Sequence, residues 1–158
     1  MSNRSVTHGT FVIKRTYDAA PARVFAAWAS AEAKSLWFAA DEEGWKTGKL
    51  ELDFRVGGRE SLSSRAKDGQ HHIYNATYQD IVPGERIIFS YDMHLDKARI
   101  SVSLATIEFK PEGKGTKLVF TEQGAFLDGY DDAGQRERGT EGLLDSLGKV
   151  LEREVARG

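Results

Sequence analysis

Cysteine is absent from all 158 residues, which excludes disulfides, thiolate nucleophiles and thiolate-bound metal. Its absence fits a cytoplasmic protein. Proline is nearly absent too, at three residues. Pro21, Pro83 and Pro111 fall where a helix start or a turn is expected. An excess of one charge is also lacking. Twenty-two Lys and Arg against 24 Asp and Glu leave a net charge of −2, and no long basic run exists to follow a nucleic-acid backbone. No apolar stretch approaches a membrane-spanning length, and Met1 to Thr10 has no apolar core of the kind a signal peptide carries. Sequence motifs for chemistry are missing as well. There is no Gly-x-Ser-x-Gly elbow, no phosphate-cradling loop and no His-x-x-x-His helix pair. Gly113-Lys114-Gly115 is short and reads as a hairpin turn. Asp41, Glu42 and Glu43 are consecutive, point apart, and read as a solvated loop without calcium-loop spacing. Neither a metal nor a cofactor is expected.

What is present suits one soluble domain. Hydrophobic residues make up 40% and charged residues 29%, and a chain of this length buries close to 70% of its unfolded surface. The domain is expected to span residues 1–158, with its ordered core at about 10–155.

Gly134 to Val155 is the longest stretch that reads as a single helix. Leu143, Leu144, Leu147, Val150 and Leu151 recur at three-and-four spacing, which places them on one face. Asp132 with Gln135 three residues on forms an N-cap pair, each side chain free to take an orphan amide. Gly139, Gly142 and Gly148 interrupt the helix at about 1 kcal/mol each relative to alanine, which suits a helix that something must approach closely.

Strands fill most of the remainder. Thr10 to Asp18 alternates apolar and polar residues. Pro21 then opens a short helix carrying Val24, Phe25 and Trp28, and a second short helix covers Ala31 to Phe38. Trp28 and Trp37 are expected in the core. Lys49 to Val56 puts Leu50, Leu52, Phe54 and Val56 on one strand face. Gly57-Gly58, Asp68-Gly69, Pro83-Gly84, Asp96-Lys97 and Pro111 to Gly115 separate five further strands: Arg59–Lys67, His71–Val82, Arg86–His94, Arg99–Phe109 and Thr116–Gln123. Ile100, Val102 and Leu104 occupy one phase while Ile107 and Phe109 occupy the other, so a bulge is expected near Ala105.

Hairpin-linked strands form an antiparallel meander, and the final helix is the only element long enough to cover it. The fold class is therefore α+β. A curved antiparallel sheet of about seven strands wraps the long C-terminal helix, with two short helices between the first two strands. One narrow apolar stripe cannot fill a curved sheet, so a pocket is expected between the two.

The chain resembles the bacterial branch of the START-like/Bet v 1-like (SRPBCC) superfamily, specifically its Hsp90-ATPase-activator homologues. The resemblance rests on Arg15-Thr16-Tyr17-Asp18 before Pro21, on Val24-Phe25 with Trp28, and on Trp37. It continues through Asp53 to Arg59, Asp68-Gly69, Ile81 to Phe89, and Gly115 to Leu118. It implies a helix-grip fold and a cavity for an apolar or amphipathic small molecule. Where many relatives have Trp-Gly-Pro this chain has Trp37-Phe38-Ala39-Ala40. Where they have Gly-Trp in the last helix it has Gly139-Thr140, which enlarges or reshapes the pocket relative to theirs.

Candidate site residues follow from strand and helix phase. Trp37, Phe54, Tyr74, Tyr78, Phe89, Tyr91, Phe120, Glu122, Thr140, Leu143 and Leu147 are the expected ligand-facing set. His71 and His72 are adjacent on a strand and face opposite ways, so they cannot chelate together. His72 shares its phase with Tyr74 and Tyr78. Glu122, on the Leu118/Phe120 face, needs a partner such as Tyr91 or an arginine from the start of the last helix, Arg136 or Arg138. That pair serves either as a ligand anchor or as a helix–sheet clamp. Arg55 and Arg59 read as solvent-facing ion-pair formers.

Three functions are compatible with these features. One is binding of a small hydrophobic molecule. A second is a cyclase- or hydratase-like enzyme working through His72 and Glu122. A third is a co-chaperone that engages an Hsp90-type partner, which a one-domain chain serves less well than the longer eukaryotic activators.

Overall fold

The computed structural model describes residues 4–39 and 44–157, with side chains to residue 154. Alternation along the chain lays down strands. β1 (Val6–Tyr17) leads to two short helices, α1 (Pro21–Ala26) and α2 (Ala31–Phe38). Seven strands follow: β2 (Lys46–Thr47), β3 (Glu51–Leu52), β4 (Arg59–Arg65), β5 (His71–Val82), β6 (Arg86–Leu95), β7 (Ala98–Glu112) and β8 (Gly115–Leu127). Helix α3 (Ala133–Arg157) ends the chain.

Every pairing is antiparallel, in the order β1-β8-β7-β6-β5-β4-β2, with β3 also on β4. The two shortest strands thus share one edge of an eight-stranded curved sheet. The first strand lies beside the last, and α3 is laid across the concave face. The Tyr17 hydroxyl donates to the Leu144 carbonyl at 2.7 Å, tying β1 to the middle of α3. This is the helix-grip arrangement.

Local chemistry accounts for the element ends. Pro21 occupies the first turn of α1, where a missing N–H leaves no bond unmade. Ser30 caps α2, its hydroxyl accepting from the Ala33 amide at 3.1 Å. Asp132 caps α3 by accepting from the Gln135 amide at 2.9 Å. The Gln135 side chain does not reach an orphan amide as the capping reading expects. It donates instead to the second Asp132 oxygen.

Leu144, Leu147, Val150 and Leu151 form the buried stripe of α3, facing Phe11, Ile13, Leu118 and Phe120 of the sheet. A Cβ added at Gly139 or Gly142 would meet nothing within 4 Å, so close approach is not their role. A Cβ added at Gly148 would lie 3.3 Å from the Tyr17 ring. The tightest approach to α3 is at Gly9 of β1, where a Cβ would lie 2.4 Å from the Cβ of Ala133. A sheet glycine, not a helix glycine, lets α3 begin against β1.

Two strand expectations are corrected. The segment Lys49–Val56 is not one strand, because only Glu51–Leu52 pairs. After Leu52 the chain folds on itself, with Arg55 N bonded to Asp53 O and Gly58 N to Arg55 O. A Cβ at Gly58 would lie 2.0 Å from the Asp53 carbonyl oxygen, so the turn requires that glycine. Leu50 is buried, but Val56 sits on the turn, 59% exposed. The bulge in β7 also lies elsewhere. Ile100 is the extra residue, between Arg99 opposite His94 and Ser101 opposite Met93. Ser101, Ser103, Ala105, Ile107 and Phe109 therefore face inward in one unbroken phase, while Val102 and Leu104 face out. The small side chain at Ser101 makes room for Arg136 of α3. Asp41, Glu42 and Glu43 lie outside the described residues. No helix among the described residues is long and apolar enough to cross a membrane.

Candidate functional site

Between α3 and the sheet lies a cavity of about 360 Å³. Its aromatic walls come from two directions. Trp28, Trp37 and Phe38 approach from the α1–α2 side, and Tyr74, Phe89, Tyr91 and Phe120 rise from the sheet. Their rings meet edge-on or tilted, with Trp28 4.6 Å from Trp37, and Tyr74 5.2 Å from both Phe38 and Tyr91. Such offset contacts suit aromatic quadrupoles. The α3 wall contributes Arg136, Gly139, Thr140, Leu143 and Leu144. Ser64, His72, Asp131 and Gln135 are polar lining residues that are not fully buried, and they mark the mouth. A larger depression, about 870 Å³, crosses the outer face of the sheet. Its surface is mainly polar, with Ser61, Asn75, Thr77 and Ser90, whereas the inner cavity is mainly apolar.

One polar network reaches into this apolar space. The Tyr91 hydroxyl donates to the Glu122 carboxylate, whose oxygens lie 2.8 and 2.7 Å away. Arg136 donates to the Tyr91 oxygen at 2.9 Å, to Ser101 at 2.8 Å and to Asp131 at 2.9 Å. Its guanidinium lies 3.6 Å from Glu122. It sits between the Tyr91 and Phe126 rings, 5.6 and 5.4 Å from their centroids. Gly124 permits this: a Cβ there would meet the Phe126 ring at 2.8 Å. Burial pushes the Glu122 carboxyl above its ordinary range, outweighing the Tyr91 hydrogen bond and the Arg136 charge. Burial pushes the Tyr91 hydroxyl up as well. For Arg136 the balance runs the other way. Burial opposes its charge, but Tyr91, Glu122 and Asp131 together raise its pKa.

A second buried pair stands behind the aromatic wall. Lys34 of α2, 1% exposed, donates to Glu60 Oε1 at 2.9 Å and lies 2.7 Å from Oε2. Tyr78 donates to the same carboxylate. The ammonium lies 4.4 Å from the Phe38 centroid, with Trp28 and Phe89 slightly farther away. Burial holds the Lys34 pKa below its ordinary value, against the pull of Glu60.

The chain matches the family described as Activator of Hsp90 ATPase homolog 1-like protein over residues 18–152. It belongs to that family. Its fold is similar to an uncharacterised protein from Rhizobium leguminosarum, at 52% identity and TM-score 0.90, covering 95% of this chain and 98% of that one. It is similar also to the Mll3558 protein from Rhizobium loti, at 46% identity and TM-score 0.84, covering 92% and 98%. An AHSA1-like protein from Aeromonas hydrophila shares the fold at 22% identity and TM-score 0.68, covering 92% and 94%. Among curated proteins none matches.

Within this Hsp90-activator-homologue domain the expected site residues divide. Trp37, Tyr74, Phe89, Tyr91, Phe120, Glu122, Thr140 and Leu143 line the cavity, as does His72. Phe54, Tyr78 and Leu147 do not line it. Phe54 packs on Phe25 and Tyr78, Tyr78 serves Glu60, and Leu147 is fully buried in the stripe of α3. His72 lies at the mouth, its ring 4.9 Å from that of Trp45. Burial lowers its pKa, opposed by Asp68 and Asp96. No hydrogen bond links His72 to Glu122 among the described residues. Arg55 pairs with Asp53 at 2.8 Å on the surface. Trp28, Phe38, Leu62 and Met93 also line the cavity, and the Lys34–Glu60 pair is a further feature that sequence reasoning passed over. A signal for it existed. Glu60 shares its strand phase with Leu62, so a carboxylate pointing inward was readable. Among the described residues no group of His, Cys, Asp or Glu is placed to hold a metal ion.

Proposed function

We propose that this domain binds a small apolar or amphipathic molecule, with an aromatic portion, in the cavity between α3 and the sheet. The supporting observation is the lining. Seven aromatic side chains surround a space of about 360 Å³ that the stripe of α3 leaves unfilled. A few convergent polar groups lie at one side, which is the usual make-up of a small-molecule site. Trp37, Tyr74, Phe89, Tyr91, Phe120, Thr140 and Leu143 contact the guest. Glu122, held by Tyr91 and Arg136, belongs to its polar end. At the packing density of organic solids the space holds about fifteen to twenty non-hydrogen atoms. Trp28 and Trp37 supply a direct assay, because a guest against their rings changes tryptophan emission. Titration with uncharged aromatic compounds is expected to give saturable emission changes and a raised melting temperature. A panel producing neither would overturn the reading, as would mass spectrometry of native protein in which every compound tested fails to remain bound.

Family membership favours a second reading, as a module that engages an Hsp90-type chaperone. Co-purification with that chaperone and stimulation of its ATPase would support this reading, and a flat ATPase rate would remove it.

A further inference from the structure

The charges on the cavity wall do not balance. Glu122 and Asp131 are two carboxylates, and Arg136 is the one guanidinium among the lining residues. Lys34 does not alter the count, because it lies behind the wall and is paired with Glu60. His72 does not add a positive charge at neutral pH, since its pKa is shifted down. Both terminal nitrogens of Arg136 are moreover engaged. One terminal nitrogen serves Tyr91 and faces Glu122, while the other serves Ser101 and Asp131. Its flat faces are covered by Tyr91 and Phe126. A carboxylate guest arriving here would meet two like charges and a guanidinium with no pair of donors to offer in the forked geometry carboxylates prefer. A guest carrying a hydrogen-bond donor would meet the reverse. Asp131 sits at the mouth, half-buried, and accepts from Arg136 through one oxygen. Its other oxygen accepts an exposed backbone N–H, that of Asp132, at 2.8 Å, and a carboxylate oxygen has capacity for a further donor.

Resting on the binding reading above, we infer that the cavity sorts guests by charge. It takes flat arylmethylamines, cationic at neutral pH, and neutral hydroxyl-bearing aromatics, and rejects aromatic or fatty carboxylates of equal size. Asp131 and Glu122 are the residues that set this preference. Asp131 meets the donor, while Glu122 keeps Arg136 engaged and out of reach of an anion. Aromatic rings add to the preference for a cation, through attraction of a positive group to a ring face.

The test is a matched series of naphthalene, 2-naphthol, 2-(aminomethyl)naphthalene and 2-naphthoate, titrated at neutral pH and followed by tryptophan emission and calorimetry. The aminomethyl compound is expected to bind at least ten-fold more tightly than 2-naphthoate, with 2-naphthol between them. In Asp131→Asn the ratio should shrink to about three-fold or less. In the double variant Asp131→Asn/Glu122→Gln, which leaves Arg136 as the one charge on the lining, 2-naphthoate should become the preferred compound. Circular dichroism confirms that each variant is folded, and Asp131→Asn alone suffices should the double variant not fold. If naphthalene binds and 2-naphthoate binds as tightly as the amine, charge sorting is wrong while the binding site stands. If none of the four binds, naphthalene included, both readings fail together.

Discussion

Lys34 and Glu60 show how much a single pair of side chains commits this fold to one arrangement. Each sits among rings with almost no solvent contact, where an unpaired charge is strongly unfavourable. Lys34→Met is therefore expected to destabilise the domain by about 3–5 kcal/mol, the usual effect of stranding one member of a buried pair. Lys34→Met/Glu60→Leu should recover most of that loss, since the stranded charge goes too. Urea unfolding of the two variants decides it, and a single variant within about 1 kcal/mol of the parent would show that Glu60 finds water. Glu122 offers a pH test at the same scale. Its folded pKa lies above the ordinary 4.5, so between those two values the folded state holds the proton more firmly than the unfolded state does. Stability from this group is present below pH 4.5 and declines as pH rises through the folded pKa. The difference in unfolding free energy between parent and Glu122→Gln should carry that downward slope, and a flat difference across pH 4 to 7 would contradict it. Glu122 and Tyr91 were legible in the sequence because strand phase places the carboxylate on the Phe120 face, whereas the choice of Arg136 over Arg138 and the parts of Ser101 and Asp131 were not. Lys34 was not, since a long side chain on a two-turn helix can end on either side of it.

Among the elements, α3 was read most completely and the start of the sheet least. The stripe Leu143 to Leu151 has a helical period, and no other element competes for those residues. Leu147→Asp, which puts a carboxylate on that stripe, is expected to abolish cooperative folding, and a melting temperature equal to the parent's would refute the face assignment. The glycines of α3 behave differently from the sequence expectation. Gly142 is exposed with open space around it, so Gly142→Ala should stabilise the domain by about 0.5–1 kcal/mol through helix propensity alone. Thermal unfolding checks this, and a loss of stability would mean that an unseen partner covers that face. The segment from Lys49 to Val56 was misread because alternation alone does not reveal a turn made by the backbone. Arg55, Gly57 and Gly58 bond to Asp53 and Tyr78 in ways that outweigh extension. The bulge was misplaced for a related reason. Val102 and Leu104 are apolar but face outward, so hydrophobicity pointed to the wrong phase of β7.

At the scale of the whole molecule, a curved sheet and one helix cannot be matched residue for residue, and the mismatch is the cavity. Its size then depends on what α3 projects into it, and Thr140 is the residue at the centre of that wall. Thr140 bonds back to the Arg136 carbonyl at 2.9 Å and leaves the space above it empty. An indole at this position would occupy a large part of the 360 Å³ and bury an aromatic side chain against Phe89, Tyr91 and Phe120. Thr140→Trp is therefore expected to keep or raise the melting temperature while removing ligand binding. The two readouts separate filling from damage. In the parent, a guest at a hundred times its dissociation constant adds about 2.7 kcal/mol of stability, and in Thr140→Trp that increment should vanish although the apo protein is no less stable. A variant that is destabilised and still stabilised by the same guest would mean that the indole points away from the cavity. A variant that is stable and binds unchanged would mean that the guest sits elsewhere on the molecule.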